Sequence, residues 1–347
     1  MSSAHSPAPQ TIVVYTQSLL SRLIAWSGWI AFAACFFLLM GTWTLFSDYF
    51  DTTGGIEEKF VQGEDYATDK VAIISIEGVI IEGDGFVKQQ IDRIRDDESV
   101  KAIVVRVDSP GGTVTGSDYI YHHLSKLRKE KNVPMVVSMG GMAASGGYYV
   151  SMAVGDQEEA IFAEPTCTTG SIGVIIPHYD VSGLLARYDV KDDSIASHER
   201  KQMLSMTRPL SEEHRAIVQG QINDMFSRFK SIIKKGRPVF QNDGDALEQL
   251  ATGETFSADA ALKHGLIDKI GFVEDAIDRA MQLAKLDKDE TRVVKFERPL
   301  TLFDGIGIPS ARQQAALDLT QLLDLSAPRA WYLATSLPTI ASSQRAD

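Results

Sequence analysis

A chain of 347 residues is long enough to bury one large core or two ordinary ones. Its 34 basic against 46 acidic residues give a net charge of −12, which excludes a general nucleic-acid binder, because phosphate contacts need a basic surface. Two cysteines, Cys35 and Cys167, stand far apart in apolar or small-residue surroundings, so neither a disulfide framework nor a zinc site can be read from them.

The first element is an uncharged run from Leu23 to Phe46, "LIAWSGWIAFAACFFLLMGTWTLF". As a helix it would be roughly 36 Å long, against a hydrocarbon core of about 30 Å. Trp26, Trp29 and Trp43 lie toward its ends, as interfacial aromatics do. The apolar region of a cleaved signal peptide is shorter, about 7–15 residues, so an uncleaved anchor is expected. Arg22 is the only charged residue ahead of the run, and Asp48, Asp51, Glu57 and Glu58 follow it. The positive-inside tendency therefore puts a tail of residues 1–22 in the cytoplasm, a span at 23–46, and the rest of the chain on the far side. Residues 47–69 are polar and aperiodic and read as a linker.

Folded structure is expected from about Lys70. "KVAIISIEGVII" (70–81) has a strand pattern, "FVKQQIDRIRDDES" (86–99) a helical one, and "VKAIVVRVD" (100–108) is a second strand closed by the turn "SPGG". A helix over roughly 117–130 precedes a third strand, "VPMVVSMG". Strands alternating with helices imply an α/β domain with a mostly parallel sheet. A short helix follows Ser145, then the apolar runs "AIFA" and "GSIGVII", then a helix and an extended piece in "SGLLARYDVKDDSIASHERKQ". Ser211 has the character of an N-cap, with Glu212 and Glu213 in the first turn, opening a helix that Lys234, Lys235 and Gly236 close. A last helical cluster, "SADAALKHGLIDKIGFVEDAIDRAMQLAKL", ends a domain of residues 70–285 and leaves an extension, 286–347, whose apolar residues are too interrupted for a second span.

Three features carry chemistry. "DSPGG" (108–112) follows a strand, and its paired glycines free backbone N–H groups to face a bound group, although Pro-Gly is also an ordinary turn. The stretch "SMGGMAASGGYYVSMAVG" (138–155) is crowded with small residues. Either two backbones cross there so closely that little else fits, or a strand-to-helix turn presents Ser145 as a nucleophile. The pentapeptide "AASGG" departs from the G-x-S-x-G elbow, since Ala143 stands at its first glycine. Serine needs a partner to take its proton. His122, His123, His214 and His264 read as surface residues, His178 and His198 stay open on spacing, and the rival base is a lysine kept neutral by burial, for which Lys201 in "SHERKQMLSM" is the candidate.

In this order and spacing, "DSPGG", "SMGGMAASGGYYVS", "TGSIGV" and "GETFSADAALKHGLIDKIG" resemble the signal peptide peptidase A (SppA) family of membrane-anchored serine peptidases, over about residues 70–285. The resemblance implies an α/β fold of the Clp protease/crotonase type, built of repeated ββα units, behind an N-terminal transmembrane helix. It implies that Ser145 is the nucleophile, that Lys201 is the general base, 56 residues further on and just before "LSEEHR", and that Ser171 orients that lysine. Gly112 is then an oxyanion donor, with the N–H of Gly146 as the second. "SHERK" departs from the family's small-residue pattern before the lysine, which makes Lys191 the nearest alternative.

The activity so implied is hydrolysis of leftover signal peptides and similar hydrophobic peptides, with no metal or organic cofactor. It would take place at a bacterial-type inner membrane, in ring-like homo-oligomers whose Ser/Lys dyad is shared between subunits. Two rivals remain: an inactive membrane-anchored scaffold of the same fold, and an acyl-CoA hydratase or isomerase, which would want a carboxylate base and a soluble chain.

Overall fold

Two runs of β-branched residues buried on both faces build the centre of the sheet, and the computed structural model describes it within residues 19–49, 55–298 and 330–334. The chain divides into two units, Met1–Gly55 and Ile56–Asp347. The first contains α1 (Leu19–Tyr49), a 31-residue helix that covers the expected span and runs past both its ends. Among the described residues no helix is long and apolar enough to cross a membrane; of α1, side chains are described from 26 to 42. The expected tail lies outside the described residues as far as residue 18.

The second unit runs β1 (Glu57–Gly63), β2 (Asp69–Glu77), α2 (Phe86–Asp96), β3 (Val100–Ser109), β4 (Gly111–Thr113), α3 (Val114–Lys131), β5 (Met135–Ala144) and α4 (Gly146–Ser151). There follow β6 (Ile161–Ala163), β7 (Thr168–Gly170), α5 (Ser182–Arg187), α6 (Glu212–Gly236), α7 (Val239–Asn242) and α8 (Gly244–Leu250). Then come β8 (Thr255–Ser257), α9 (Ala258–Lys263), β9 (Lys269–Ile270), α10 (Val273–Ala284), β10 (Thr291–Glu297) and β11 (Trp331–Leu333). The main sheet has the order β1-β10-β2-β3-β5-β6-β9, with β7 paired to β5 and β8 to β7. From β10 to β9 every pairing is parallel, as is β5 with β7, while β1 and β8 are added antiparallel. The expected α/β architecture with a parallel-rich sheet is therefore what this sequence forms.

Because side chains alternate along a strand, each strand feeds two cores. Val71, Ile73, Ala102, Val104 and Val136 face Ala276, Ile277, Ala280 and Met281 of α10. Ala72, Ile74, Ile103, Val105, Val107 and Val137 belong to the larger core, with α2, α3, α4 and α6. Near-continuous apolar strands are what a sheet covered on both faces requires.

The structure corrects several boundaries. The segment 47–69 is not wholly linker: α1 continues to Tyr49, and residues 57–63 form β1, antiparallel to β10. A polar edge strand, "EEKFVQG", has no buried face to give it an apolar period. The 286–347 extension is not separate either, because β10 is inserted between β1 and β2, and β11 pairs with β4. Of the apolar run "GSIGVII", only Gly170 lies in a strand, β7, and the chain continues irregularly after it. The last helical cluster is two helices with β9 between them. The N-cap at Ser211 is as expected, its Oγ accepting the His214 N–H at 3.2 Å.

Candidate active site

β5 ends against β7 with Ala144 opposite Gly170, and the next residue of each strand, Ser145 and Ser171, leaves the ladder at positive φ, 53° and 51°. With ψ at −110°, Ser145 occupies backbone space that L-residues rarely adopt, held there by its surroundings. Its N–H donates to Gly170 O at 2.7 Å, and its carbonyl accepts the Tyr149 N–H at 2.8 Å, which starts α4. The chain thus turns from strand to helix at a serine that is almost fully buried.

Glycines make this turn possible. A Cβ on Gly146 would lie 2.5 Å from Ser117 Oγ and 3.0 Å from Gly112 N, and one on Gly112 would lie 1.8 Å from Ile80 O. Gly111, at φ +100°, carries the loop after β3 past α4, so that a Cβ there would lie 2.6 Å from Gly146 N. The backbone nitrogens of Gly112 and Gly146 are therefore neighbours beside Ser145. Thr113 fixes the loop from the other end: its Oγ1 caps α3 by accepting the Gly116 N–H at 3.0 Å and donates to Ile81 O at 2.7 Å. The crowding of small residues thus comes from a close backbone crossing and from the presentation of Ser145 at once. Ser171 is held on the far side by its N–H to Glu254 O at 2.6 Å.

The two lysines stand apart from this cluster. Residues 174–210 form an arm whose regular structure is α5 and a single 3-10 turn, Glu199–Gln202. Lys201 sits in that turn, exposed, with its N–H on His198 O at 3.0 Å. Lys191 is exposed too, 3.8 Å from Asp189. The structure brings together Ser145, Gly112, Gly146 and Ser171, and the contacts described for Lys201 and Lys191 include none of them. Asp192 folds the arm by accepting from Ser194 N at 3.0 Å, Thr207 Oγ1 at 2.5 Å and Arg208 Nε at 2.8 Å. Those hydrogen bonds, Ser194 first, hold its carboxyl well below the usual carboxylate range.

Four of the histidines make their described contacts elsewhere. His122 and His123 stack edge to face on α3, the His178 ring meets Ser205 O at 3.2 Å, and His198 Nδ1 accepts the Arg200 N–H. Burial pushes the Cys167 thiol up to about 12, so it is no rival nucleophile.

One contributor escaped the sequence reading. β11 lies antiparallel to β4, with Tyr332 opposite Gly112 and Leu333 opposite Gly111. Its other edge is bonded to Ile175: Ile175 N–H donates to Trp331 O at 3.1 Å, and Trp331 N–H to Ile175 O at 2.9 Å. The Tyr332 ring is fully buried, stacked on Tyr149 at 5.1 Å and against Phe229 at 4.6 Å, and its hydroxyl donates to Met225 O at 3.0 Å. Tyr149 is anchored in turn by its hydroxyl on Asp118, which Arg228 also holds. The aromatic pair Trp331–Tyr332, standing in a short apolar run, was the available signal.

Residues 127–287 match the family model described as peptidase family S49. A protein of Enterococcus faecium assigned by name to signal peptide peptidase SppA is 32% identical over 259 residues, covering 71% of this chain and 72% of that protein. Protease 4 of Haemophilus influenzae is 30% identical over 273 residues, 75% of this chain but 43% of that longer protein. The chloroplastic serine protease SPPA of Arabidopsis thaliana is 29% identical over 270 residues, 72% of this chain and 38% of that one.

Proposed function

The chain belongs to the SppA family within peptidase family S49 and is a serine peptidase, and from that premise we propose that it degrades spent signal peptides and similar hydrophobic peptides with a Ser145/Lys201 dyad. Lys201 takes the Ser145 proton as Oγ attacks the scissile carbonyl, and the N–H groups of Gly112 and Gly146 receive the oxyanion. The lysine then returns the proton to the leaving amine, and water hydrolyses the acyl-enzyme. Ser171 orients the lysine. A fold of the Clp/crotonase type, with α1 as a single anchor that leaves the N-terminus in the cytoplasm and the peptidase unit outside it, belongs to the same reading. The uncharged stretch 23–46 within a 31-residue helix supports the anchor.

A single observation carries the proposal: the nucleophile turn is complete within one chain, while the base stands exposed on an arm. Tyr179, Leu184, Tyr188, Val190, Ile195 and Met206 of that arm are exposed as well. An arm that offers apolar side chains and a lysine to the outside fits docking on a second copy, whose Ser145 the lysine would serve.

The test is subunit mixing. Ser145→Ala and Lys201→Ala chains are each expected to be inactive on a fluorogenic signal-sequence peptide, whereas Lys191→Ala keeps activity. Co-assembled in equal amounts, the two inactive chains recover about a quarter of wild-type activity if serine and lysine come from neighbours, since one site in four then receives both. No recovery, with wild type active, places the dyad within one subunit. An active Lys201→Ala chain removes Lys201 as the base.

A further inference from the structure

We infer that Asp108 is a positioning residue: from β3 its carboxylate fixes a bulge in β5 just ahead of Ser145, and so sets the proposed nucleophile against the loop that carries Gly112. The inference deepens the peptidase reading and rests on it. Register supplies the first observation. Val107 pairs with Met139 and Ser109 with Ala143, so two steps along β3 match four along β5. The surplus is taken up at residues 140–142, immediately before Ala143, Ala144 and Ser145. A bulge bends its strand and re-aims the side chains beyond it, which is why bulges gather beside active sites.

The bulge is also where β5 changes partner. As far as Met139 it pairs with β6, Met139 lying opposite Ala163, and from Met142 it pairs with β7, Met142 lying opposite Thr168. The Glu164 N–H closes the first ladder on Met139 O at 3.1 Å, and the Cys167 N–H turns the chain back by donating to Glu164 O at 2.9 Å. Arg106 clamps the β6 side of this change, its guanidinium donating to Ser138 Oγ at 2.8 Å and to the Glu164 carboxylate. On the β7 side the Met142 N–H donates to Asp108 Oδ1 at 3.0 Å. The backbone at Gly140 passes close to both clamps, since a Cβ there would lie 3.0 Å from Asp108 Oδ2 and 3.0 Å from Arg106 Nη2.

The period of a strand explains why a specific bond is needed there. A slip of one residue would turn Ala143 out of the core, and burial forbids it. A slip of two keeps every side chain on its own face, as Met139 and Ala143 in the same buried core illustrate, so burial does not oppose it. A carboxylate that accepts from one particular backbone N–H does distinguish the two registers. The neighbouring residue performs the matching task on the other face of β3. Ser109 Oγ donates to Gly78 O at 2.6 Å and accepts the Gly111 N–H at 3.1 Å, which fixes the loop that continues into Gly112. Adjacent residues of one strand thus hold the two parts of the site, Ser109 the oxyanion loop and Asp108 the strand that leads to Ser145. Asp108 is itself exposed and takes no part in the proposed proton transfers.

The experiment compares Asp108→Ala, Asp108→Ser and Asp108→Asn in the full-length protein. The asparagine side chain still offers an oxygen to the Met142 N–H, whereas alanine offers none and the serine hydroxyl falls short of it. Asp108→Ala and Asp108→Ser are expected to lower kcat about tenfold or more on a fluorogenic peptide with KM changed by less than about twofold, and Asp108→Asn to keep kcat within about twofold. Hydrogen exchange read by mass spectrometry on fragments covering residues 140–148 needs no turnover. It should speed up in the alanine and serine chains and stay at the wild-type rate in the asparagine chain. If wild type cuts no peptide but exchange follows that pattern, the peptidase reading falls and the positioning of Ser145 by Asp108 stands. If peptides are cut and Asp108→Ala or Asp108→Ser keeps its kcat, or Asp108→Asn loses as much as Asp108→Ala, the inference is overturned and the peptidase reading survives. Exchange unchanged in Asp108→Ala and Asp108→Ser overturns it as well. Because the serine and asparagine chains carry the comparison by themselves, a misfolded alanine chain does not shelter the proposal.

Discussion

The turn that carries Ser145, the proposed nucleophile, and the arm differ in nearly every physical respect. Around Ser145 the chain is buried, locked by glycines with no room for a methyl group, and bonded through its backbone to β7. Along residues 174–210 it is largely exposed, has little regular structure, and is held by scattered hydrogen bonds, among them those to Asp192. The comparison teaches that the two proposed halves of one catalytic dyad are organised by different means. A developing oxyanion needs donors already in place, which only a rigid backbone supplies. A general base needs a lysine whose water is removed at the right moment, and an exposed arm that becomes buried on docking can do that.

The sharpest way to break the comparison is to put the same methyl group in both regions. Gly112→Ala would drive a Cβ to within 1.8 Å of Ile80 O, which must displace the loop from Gly146. A loss of about 10²–10³ in kcat is expected from the displaced donor, with about 1–3 kcal/mol of stability lost to overpacking. Gly183→Ala, in α5 of the arm, meets nothing within 4 Å and is expected to leave the melting temperature unchanged or slightly raised. Kinetics and thermal melts on the two variants decide it. Equal melting temperatures would mean that the turn is not locked as described.

A smaller effect is expected from charging the arm's apolar surface. Ile195→Asp together with Tyr188→Asp alters side chains that are exposed in the single chain, so the melting temperature should hold. If the arm docks on a neighbour, light scattering should show a smaller assembly, and activity should fall about tenfold or more. An assembly of unchanged size would remove these residues from the interface.

Much of this contrast was legible in the sequence, for identifiable reasons. β2, β3 and β5 are buried on both faces and so read as continuous apolar runs, and Ser211 with Glu212 and Glu213 marked the start of α6. The glycine crowding at 138–155 pointed to a tight crossing and to Ser145 together. What escaped was structure that depends on distant partners. β1 is a polar edge strand, β10 is placed by pairing with residues more than two hundred positions away, and β11 is three residues long. No local period records such pairings. The exposure of Lys201 was equally invisible, because a lysine's burial depends on what packs over it.

Acid finally separates the two regions through two carboxylates. Asp97 lies against β2 and β3. Burial there opposes its charge, but the Lys70 ammonium at 2.8 Å and the Ser99 hydroxyl and N–H outweigh that and hold its carboxyl at about 2. The unfolded value is about 3.9, so the stabilisation is fully present above that pH and is lost as pH falls through about 2. It amounts to about 1–2 kcal/mol once partial solvent screening is allowed for. The midpoint of thermal unfolding should therefore fall between pH 4 and pH 2, and Asp97→Asn should start lower at pH 7 and lose that part of the slope. Asp192, also depressed, closes the arm and not the sheet. Asp192→Asn should leave the unfolding midpoint where it is and cut activity severalfold by loosening the segment that carries Lys201. If Asp192→Asn instead lowers the midpoint as Asp97→Asn does, the arm is part of the cooperative core and the division drawn between the two regions is wrong.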